Sequence, residues 1–361
     1  MKPFNKNVVN KLIYFKPLLY FISLFFLRRK TTNQIRTILV MDVHLIGDLV
    51  MLTPFFRNLK NIFPQSNITL IAGPWAGSVF KNFDEIDNLE FIEVPWVKYN
   101  NKFQRYLILF FKAFYLRRQN FDISIEVRGD VRSQLFLRLC GCKNIVSYSF
   151  FDIPYFVDQV VPYSSDSKHL ISYNQNIINF LSDNSKGIFF KPFLKISSLE
   201  IESVRYASNY IGIHFGASLP MRRPNVDLLR LWISQIVNLH PTSLFVIFDT
   251  PEDPTLCNRL IEYFSEYNVN ASAWKGGLRE FIIYLTKCQY LYCLDSAPGH
   301  IASALSVPSS VIFGPTYESI ASPISTTTNI VSSRDVNCKV SCDQLSCTNR
   351  NFQECYPIEI C

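Results

Sequence analysis

Three short polar stretches hold the residue types that could do chemistry. In "LDSAPGH" (294–300), Asp295, Ser296, Gly299 and His300 stand between an apolar run and a short helix-like segment. The first amides of a helix and its dipole favour an anion, so this stretch could hold a phosphate. Asp295 or Ser296 could equally cap the helix, with Pro298 in its first turn, and His300 reads equally as a phosphate donor or a structural imidazole. In "HFGASLPMRRP" (214–224), Gly216, Ala217 and Ser218 precede Arg222 and Arg223. Small residues let amides and a hydroxyl approach phosphate oxygens, and guanidinium groups match them in pairs. An exposed basic loop is the alternative, and no Walker A pattern is present. The third stretch is Gly47-Asp48. Its carboxylate could act as a general base or simply cap a helix and complement its dipole.

The elements around these stretches alternate. "RTILVMD" (36–42), "ITLIAG" (68–73), "LEFIEVP" (89–95) and "DISIEV" (122–127) are short apolar runs that read as strands. Helical spacing follows the first over "LVMLTPFFRNLKNIF" (49–63), with Pro54 expected early in the helix or at a kink. It recurs at "FQRYLILFFKAFYLRRQ" (103–119) and "RSQLFLRLCG" (132–141). A second series begins at "NYIGIHFG" (209–216) and runs through helix 226–240, strand 243–249, helix 255–267 and helix 278–288 into the 291–316 block. Such alternation predicts parallel sheets covered by helices. Each polar stretch lies where a strand ends and a helix begins, the edge at which open α/β sheets bind ligands.

The bulk properties narrow the class. The chain has 361 residues, 48% hydrophobic and 18% charged, which suits two folded domains. Its net charge is +7, yet residues 1 to 36 hold eight Lys and Arg and no acid. The body is therefore near neutral, which argues against a nucleic-acid groove. Within the basic arm, the apolar run "LIYFKPLLYFISLFFL" (12–27) is broken by Lys16 and Pro17. It is short for a bilayer span of about 20 residues and lacks a cleavage site. Basic and aromatic residues together suit an anionic membrane surface. A packed first helix and a signal anchor are the alternatives. Cys140, Cys142, Cys257, Cys288 and Cys293 lie mostly in apolar runs and read as buried thiols. Cys338, Cys342, Cys347 and Cys355 are separated by three, four and seven residues, with Cys361 beyond. Packing thiols, a structural metal and disulfides all remain open for this cluster, whose spacing is not that of a zinc finger.

The blocks "ILVMDVHLIGDLVMLTP", "IGIHFGAS…RRP", "GGLREFIIYLTKCQYLYCLDSAPGHIASALSVPSSVIFGPT" and the Cys-rich end together resemble glycosyltransferase family 9, the heptosyltransferase-like enzymes of lipopolysaccharide synthesis. The resemblance runs from about residue 36 to 356 and is most specific in the long C-terminal block. It implies an α/β GT-B fold: two Rossmann-like lobes facing across a cleft, the first for the acceptor and the second for a nucleotide-sugar. It implies inverting transfer with no cofactor or metal required for catalysis. Asp48 matches the family's general base and Gly47 its acceptor-side turn. Arg222 falls where the family usually has a phosphate-contacting Lys. Ser296, Gly299 and His300 match the donor diphosphate loop, with Asp295 as its supporting acid and Gly216, Ser218 and Arg223 beside it. Asp253 aligns with an acid that contacts the nucleotide ribose. "VRGDVRS" (127–133) resembles an acceptor-side segment, which makes Arg128, Asp130 and Arg132 candidates. Pro224, "HLIG" and "FDTPED" depart from the usual patterns and leave the donor sugar open.

These readings give a membrane-associating arm over 1–35, an acceptor lobe over 36–175, a linker over 176–205, a nucleotide-sugar lobe over 206–335 and a Cys-rich tail over 336–361. The expected activity is transfer of heptose from ADP-heptose to a lipopolysaccharide core or another lipid-linked glycan acceptor. A UDP- or GDP-linked donor, or a non-catalytic scaffold in glycan assembly, is the alternative. The expected place is the cytoplasm, at the inner face of the membrane through residues 1–30, with no nucleic-acid partner.

Overall fold

The computed structural model describes residues 14–24, 34–97, 103–149, 154–163, 169–182, 188, 190–203, 209–251, 253–333 and 352–360. The chain forms two compact units, Met1–Phe190 and Lys191–Cys361. Each is built on a six-stranded sheet in which every pairing is parallel.

The first unit contains helix α1 (Lys16–Leu24), then β1 (Thr37–Met41), α2 (Ile46–Ile62), β2 (Asn67–Ala72), the short α3 (Ala76–Val79), β3 (Asn88–Phe91), α4 (Phe103–Arg117), β4 (Ile123–Glu126), α5 (Val131–Leu139), β5 (Ile145–Ser147), β6 (Gln159–Val160) and α6 (Leu170–Leu181). Its strand order is β3-β2-β1-β4-β5-β6, the Rossmann order. β1 is central, and from Ile38 to Met41 it is fully buried, as a strand covered on both faces must be. One face carries a core of Leu39, Met41, Ile71, Leu109, Ala113 and Leu137 under α4 and α5. Pro54 falls inside α2, not at its start. Proline leaves the carbonyl four residues back without its helical donor, and the Thr53 hydroxyl donates to that carbonyl, Val50 O, at 2.8 Å.

Asp122 ties the sheet at its N-terminal edge. Its Oδ2 accepts from the amides of Arg36 and Thr37 at 3.0 and 3.1 Å, and its Oδ1 accepts from Lys143 Nζ at 2.7 Å. Burial opposes its charge, but the Lys143 bond and these amides outweigh that and lower its pKa from 3.8 to about 2. A depressed folded pKa adds stability above the unfolded value and loses it as pH falls from 3.8 through 2. Asp122→Asn should therefore cost about 1–2 kcal/mol at neutral pH. The deficit should shrink across that acid window, as urea unfolding at several pH values would show.

The second unit contains α7 (Ser198–Ser203), β7 (Tyr210–His214), α8 (Val226–Leu239), β8 (Leu244–Phe248), α9 (Leu256–Ser265), β9 (Ala271–Trp274), α10 (Leu278–Leu285), β10 (Cys288–Leu294), α11 (Ala297–Ala304), β11 (Ser309–Phe313), the short α12 (Glu318–Ala321) and β12 (Thr328–Ser332). Its order, β12-β11-β10-β7-β8-β9, repeats the same winding. Trp232, Ile233 and Ile236 of α8 pack on Ile211, Ile213 and Phe245.

Two segments read differently from the sequence expectation. Residue 175 falls within α6, whose buried Ile171, Tyr173, Ile177 and Ile178 form one face; Asn174 Nδ2 reaches Met51 O of α2 at 3.5 Å. Ahead of residue 206, Glu200 already belongs with the second unit, because Arg279 of α10 holds it at 2.7 Å. Residues 352–360 pack into that unit as well. Trp232 Nε1 donates to Pro357 O at 2.9 Å, and Tyr356 lies edge-on to Trp232 at 5.8 Å.

All six described cysteines are buried: Cys140, Cys142, Cys257, Cys288 and Cys293, which are free thiols, and Cys355. Cys338, Cys342, Cys347 and Cys361 lie outside the described residues, as does most of the basic arm. Among the described residues no group of His, Cys, Asp or Glu is placed to hold a metal, and no helix is long and apolar enough to cross a membrane.

Candidate active site

In each sheet the winding reverses direction between two central strands, β1 and β4 in the first and β7 and β10 in the second. Loops leaving such a pair diverge and open a crevice at the strands' C-terminal ends. The sequence places its candidate residues after these four strands, except Asp253, which follows β8.

In the first unit, Asp42 and His44 lie in the loop after β1 and Asp48 in the first turn of α2, while Arg128 and Asp130 lie in the loop after β4 and Arg132 in the first turn of α5. Asp48 sits in the first turn of α2. Its Oδ2 accepts from the Leu45 amide at 3.1 Å, so it does cap the helix. Its Oδ1 accepts from Arg128 Nη2 at 3.0 Å. A carboxylate has about four lone-pair sites, so these two bonds leave capacity for a further proton donor. The Asp48 side chain is 19% exposed and that of Arg128 3%.

Arg128 Nη2 also lies 3.4 Å from Asp42 Oδ2, while Asp42 Oδ1 accepts from the amide and Nδ1 of His44 at 3.0 and 2.9 Å. Burial works against the Asp42 charge, but Arg128 and His44 outweigh it and hold the carboxyl at about 2. His44 is driven the other way. Burial opposes its protonation, yet the bond to Asp42 and its charge raise the imidazole above its ordinary value. Arg128 Nε is buried without a hydrogen-bond partner among the described residues.

Glu126, at the end of β4, organises the next turn. Its Oε2 accepts from the amides of Gly129 and Asp130 at 2.6 and 3.1 Å and from Ser147 Oγ at 2.7 Å. Burial and then the Asp130 charge push its pKa up to about 7, against the pull of those donors. Gly129 adopts φ 77°, a left-handed conformation that only glycine takes without strain. Asp130 caps α5 through the Arg132 amide and grips the Arg132 guanidinium at 2.8–3.2 Å. That guanidinium lies 5.2 Å over the Trp96 ring. Gly47 is buried in the first turn of α2. Asp42, His44, Glu126 and Trp96 were absent from the sequence reading. An acid directly after a fully apolar strand, as at Asp42, was the available signal.

In the second unit the loops after β7 and β10 meet. Arg222 Nη1 lies 3.3 Å from both Asp295 Oδ2 and Asp295 O, and Thr316 Oγ1 donates to Asp295 Oδ2 at 2.6 Å. Arg222 Nε is buried and unpartnered among the described residues. Arg223 is used differently: its Nε donates to Ala217 O at 2.8 Å, bracing the small-residue turn. Ser218 is exposed on that turn. The end of the chain holds the same segment, with Gln353 accepting from the Asn225 amide at 2.9 Å and donating to Arg223 O at 3.0 Å.

A pocket of about 350 Å³ lies beside this turn, lined among others by Gly216, Ala217, Asn225, Thr250, Asp253 and Arg259. Asp253 accepts from the Thr255 amide and hydroxyl and pairs with Arg259. Burial opposes its charge, and Thr255 and Arg259 together hold its pKa below the ordinary value.

Ser296 is the N-cap residue of α11 but makes no side-chain cap bond, its hydroxyl donating to Leu294 O at 3.2 Å. His300 is buried in the same helix. Gly299 faces the sheet: a Cβ there would stand 2.8 Å from Val311 Cγ2 and 3.3 Å from Cys293 Sγ. Its smallness lets α11 lie close on β10 and β11. Gly299→Ala should thus destabilise by about 1–3 kcal/mol through overpacking, a shift that thermal unfolding would read.

Residues 249–351 match the model of "Glycosyltransferase family 9 (heptosyltransferase)". Over that segment the chain resembles glycosyltransferase family 9. It is 22% identical over 299 residues to lipopolysaccharide heptosyltransferase 1 of Campylobacter coli, covering 77% of this chain and 84% of that protein. Among solved structures it resembles the glycosyl transferase family 9 protein of Veillonella parvula, with TM-score 0.70, 18% identity and coverage of 85% and 90%. It also resembles E. coli heptosyltransferase WaaC with ADP-2-deoxy-2-fluoro heptose, with TM-score 0.66, 14% identity and coverage of 82% and 93%. The structural likenesses establish the fold, and the family match over residues 249–351 supports a glycosyltransferase.

Proposed function

We propose that the chain is an inverting, metal-independent glycosyltransferase that moves heptose from ADP-heptose to a lipopolysaccharide core or related glycan acceptor. The observation that carries this reading is the Asp48 carboxylate at the β1/β4 switch point, oriented at 3.0 Å by the buried Arg128 and still able to accept a proton.

In the proposed reaction, Asp48 takes the proton of an acceptor hydroxyl while that oxygen attacks the donor's anomeric carbon. The bond from that carbon to the diphosphate breaks on the opposite side, and its electron pair leaves with the nucleoside diphosphate. Arg222 and the first turn of α11, with Ser296 and His300, stabilise the charge that develops on the departing oxygen. Asp295 positions Arg222. The pocket lined by Gly216 and Asp253 takes the nucleoside. Arg128, Arg132 and Gly47 serve the acceptor side, and Asp130 positions Arg132. The C. coli relative acts on lipopolysaccharide by its name, and the WaaC structure holds an ADP-heptose analogue; both support this choice of substrates. The reading places the enzyme in the cytoplasm, held against the inner membrane face by its basic arm.

Calorimetry with ADP-heptose, UDP-sugars and GDP-sugars tests the donor, using wild type and His300→Ala. Selective ADP-heptose binding, weakened at least tenfold in the variant, is expected. Preference for another nucleotide would change the sugar, and absence of binding by all three would sink the transferase reading.

A further inference from the structure

Helix α4 is apolar well beyond its buried face. Leu109, Ala113 and Leu116 turn inward and are buried in the first unit's core. Tyr106, Leu107, Ile108, Phe110, Phe111, Phe114 and Tyr115 cover most of the outward side and are 46–69% exposed. A helix lying on the sheet of a water-soluble domain carries polar residues on that side. Taking about 200 Å² for each large side chain, this face exposes on the order of 700 Å² of apolar surface, above the 300–600 Å² of an ordinary monomer's largest patch. The rings also pack on one another, Phe110 lying 4.8 Å from Phe114 and 6.0 Å from Phe111.

Charge selects what covers it. From Gln104 to Arg118 the chain has Arg105, Lys112, Arg117 and Arg118 and no acid. Arg105 and Lys112 are paired with Glu93 and Glu90, whereas Arg117 and Arg118 are exposed at the helix end. By helical spacing, Arg118 follows Leu107, Phe111 and Phe114 along the outward face. A two-fold pairing with a second copy would offer these cations no acid to meet. Anionic lipid headgroups complement them. The 15-residue helix is about 22 Å long, short of the roughly 30 Å hydrocarbon core, so it suits lying in the interface plane. Tyr106 and Tyr115 are also exposed, and amphipathic rings favour the headgroup level. Another run of exposed aromatic and aliphatic side chains, Tyr14, Phe15, Leu18, Tyr20 and Phe21, belongs to the same compact unit.

We infer that α4 is a membrane-docking element of the folded body, distinct from the N-terminal arm. Leu107, Phe111 and Phe114 enter the headgroup–acyl boundary of an anionic bilayer, and Arg117 and Arg118 meet its phosphates. Such an attachment needs two weak signals to be stable, and α4 and the arm supply them. The inference rests on this surface and is independent of the donor.

The test is co-sedimentation of the full chain with vesicles of phosphatidylethanolamine containing phosphatidylglycerol, beside vesicles of phosphatidylcholine alone. Wild type should partition to the anionic vesicles. Leu107→Glu with Phe111→Glu should weaken that partitioning about tenfold or more, with melting temperature and monomeric state unchanged. Arg118→Glu should weaken it less, and chiefly at low salt. If the paired glutamates impair folding, Phe111→Ser with Phe114→Ser gives the same readout. Unchanged partitioning of a folded variant overturns the inference, as does wild type that ignores anionic vesicles. A wild-type dimer dispersed by the glutamates, with vesicle binding intact, would assign the face to a second copy instead. Donor calorimetry on the same samples keeps a failure of the transferase reading separate from a failure of this one.

Discussion

Asp48→Asn should reduce sugar transfer by about 10²–10⁴-fold while leaving nucleotide binding within error of wild type. The amide is nearly isosteric but cannot take a proton at neutral pH. Its oxygen can still accept from the Leu45 amide, so the first turn of α2 keeps its cap. What is lost is the charge facing Arg128 at 3.0 Å. The proposed donor residues Arg222, Asp295 and His300 belong to the other compact unit, so the substitution leaves their chemistry untouched. Turnover with a lipopolysaccharide-type acceptor, measured beside calorimetric donor binding, decides the matter. Full turnover in the variant would remove Asp48 from the role of base.

Arg128→Met should have the largest effect on stability, about 3 kcal/mol or more. The guanidinium is 3% exposed and lies between two carboxylates, one of them the fully buried Asp42. Removing it leaves Asp42 with His44 as its remaining charged neighbour in this network. Breaking a buried pair from one side costs more than the pair contributes, because the other charge stays in place without its partner. Asp42→Asn in the Arg128→Met background should therefore recover part of the loss, and the double-mutant cycle should depart from additivity by about 1 kcal/mol or more. Denaturant midpoints for the four proteins measure this. Transfer should fall in Arg128→Met even where the protein is folded, since Asp48 loses the group that orients it. Arg128→Lys should restore part of each property, because an ammonium keeps the charge but not the fork. Equal stability of all four proteins would show that the Asp42–Arg128 contact is energetically idle.

The alternating apolar runs were enough to read two α/β series, because a strand buried on both faces is mostly apolar, as β1 is from Ile38 to Met41. The same rule hid the edges. β9 (ASAW) and β12 (TNIVS) are partly exposed edge strands, and nothing in their composition separates them from loops. β5 has only three residues. Helix α6 was lost among the Asn and Gln residues that interleave its apolar face; packing against α2, not local propensity, makes it an element of the first unit.

The sequence by itself determined the Rossmann-like character of both halves, the position of each candidate residue after a strand, and the family resemblance. These follow from local pattern and from the requirement that loops carry the polar groups a sheet cannot. It could not decide which loops meet. That depends on the strand order, which sets β1 beside β4 and β7 beside β10 and so brings together Asp48 with Arg128, 80 residues apart, and Arg222 with Asp295, 73 apart. Nor could it assign work among similar residues. Arg222 and Arg223 are adjacent and identical in type, yet one joins Asp295 and the other braces a turn through Ala217 O. Gly299 was read as part of a diphosphate loop, yet its bare Cα is required by Val311. Only the tertiary structure settles these roles, because each is set by what lies across a gap of a few ångströms from a distant part of the chain.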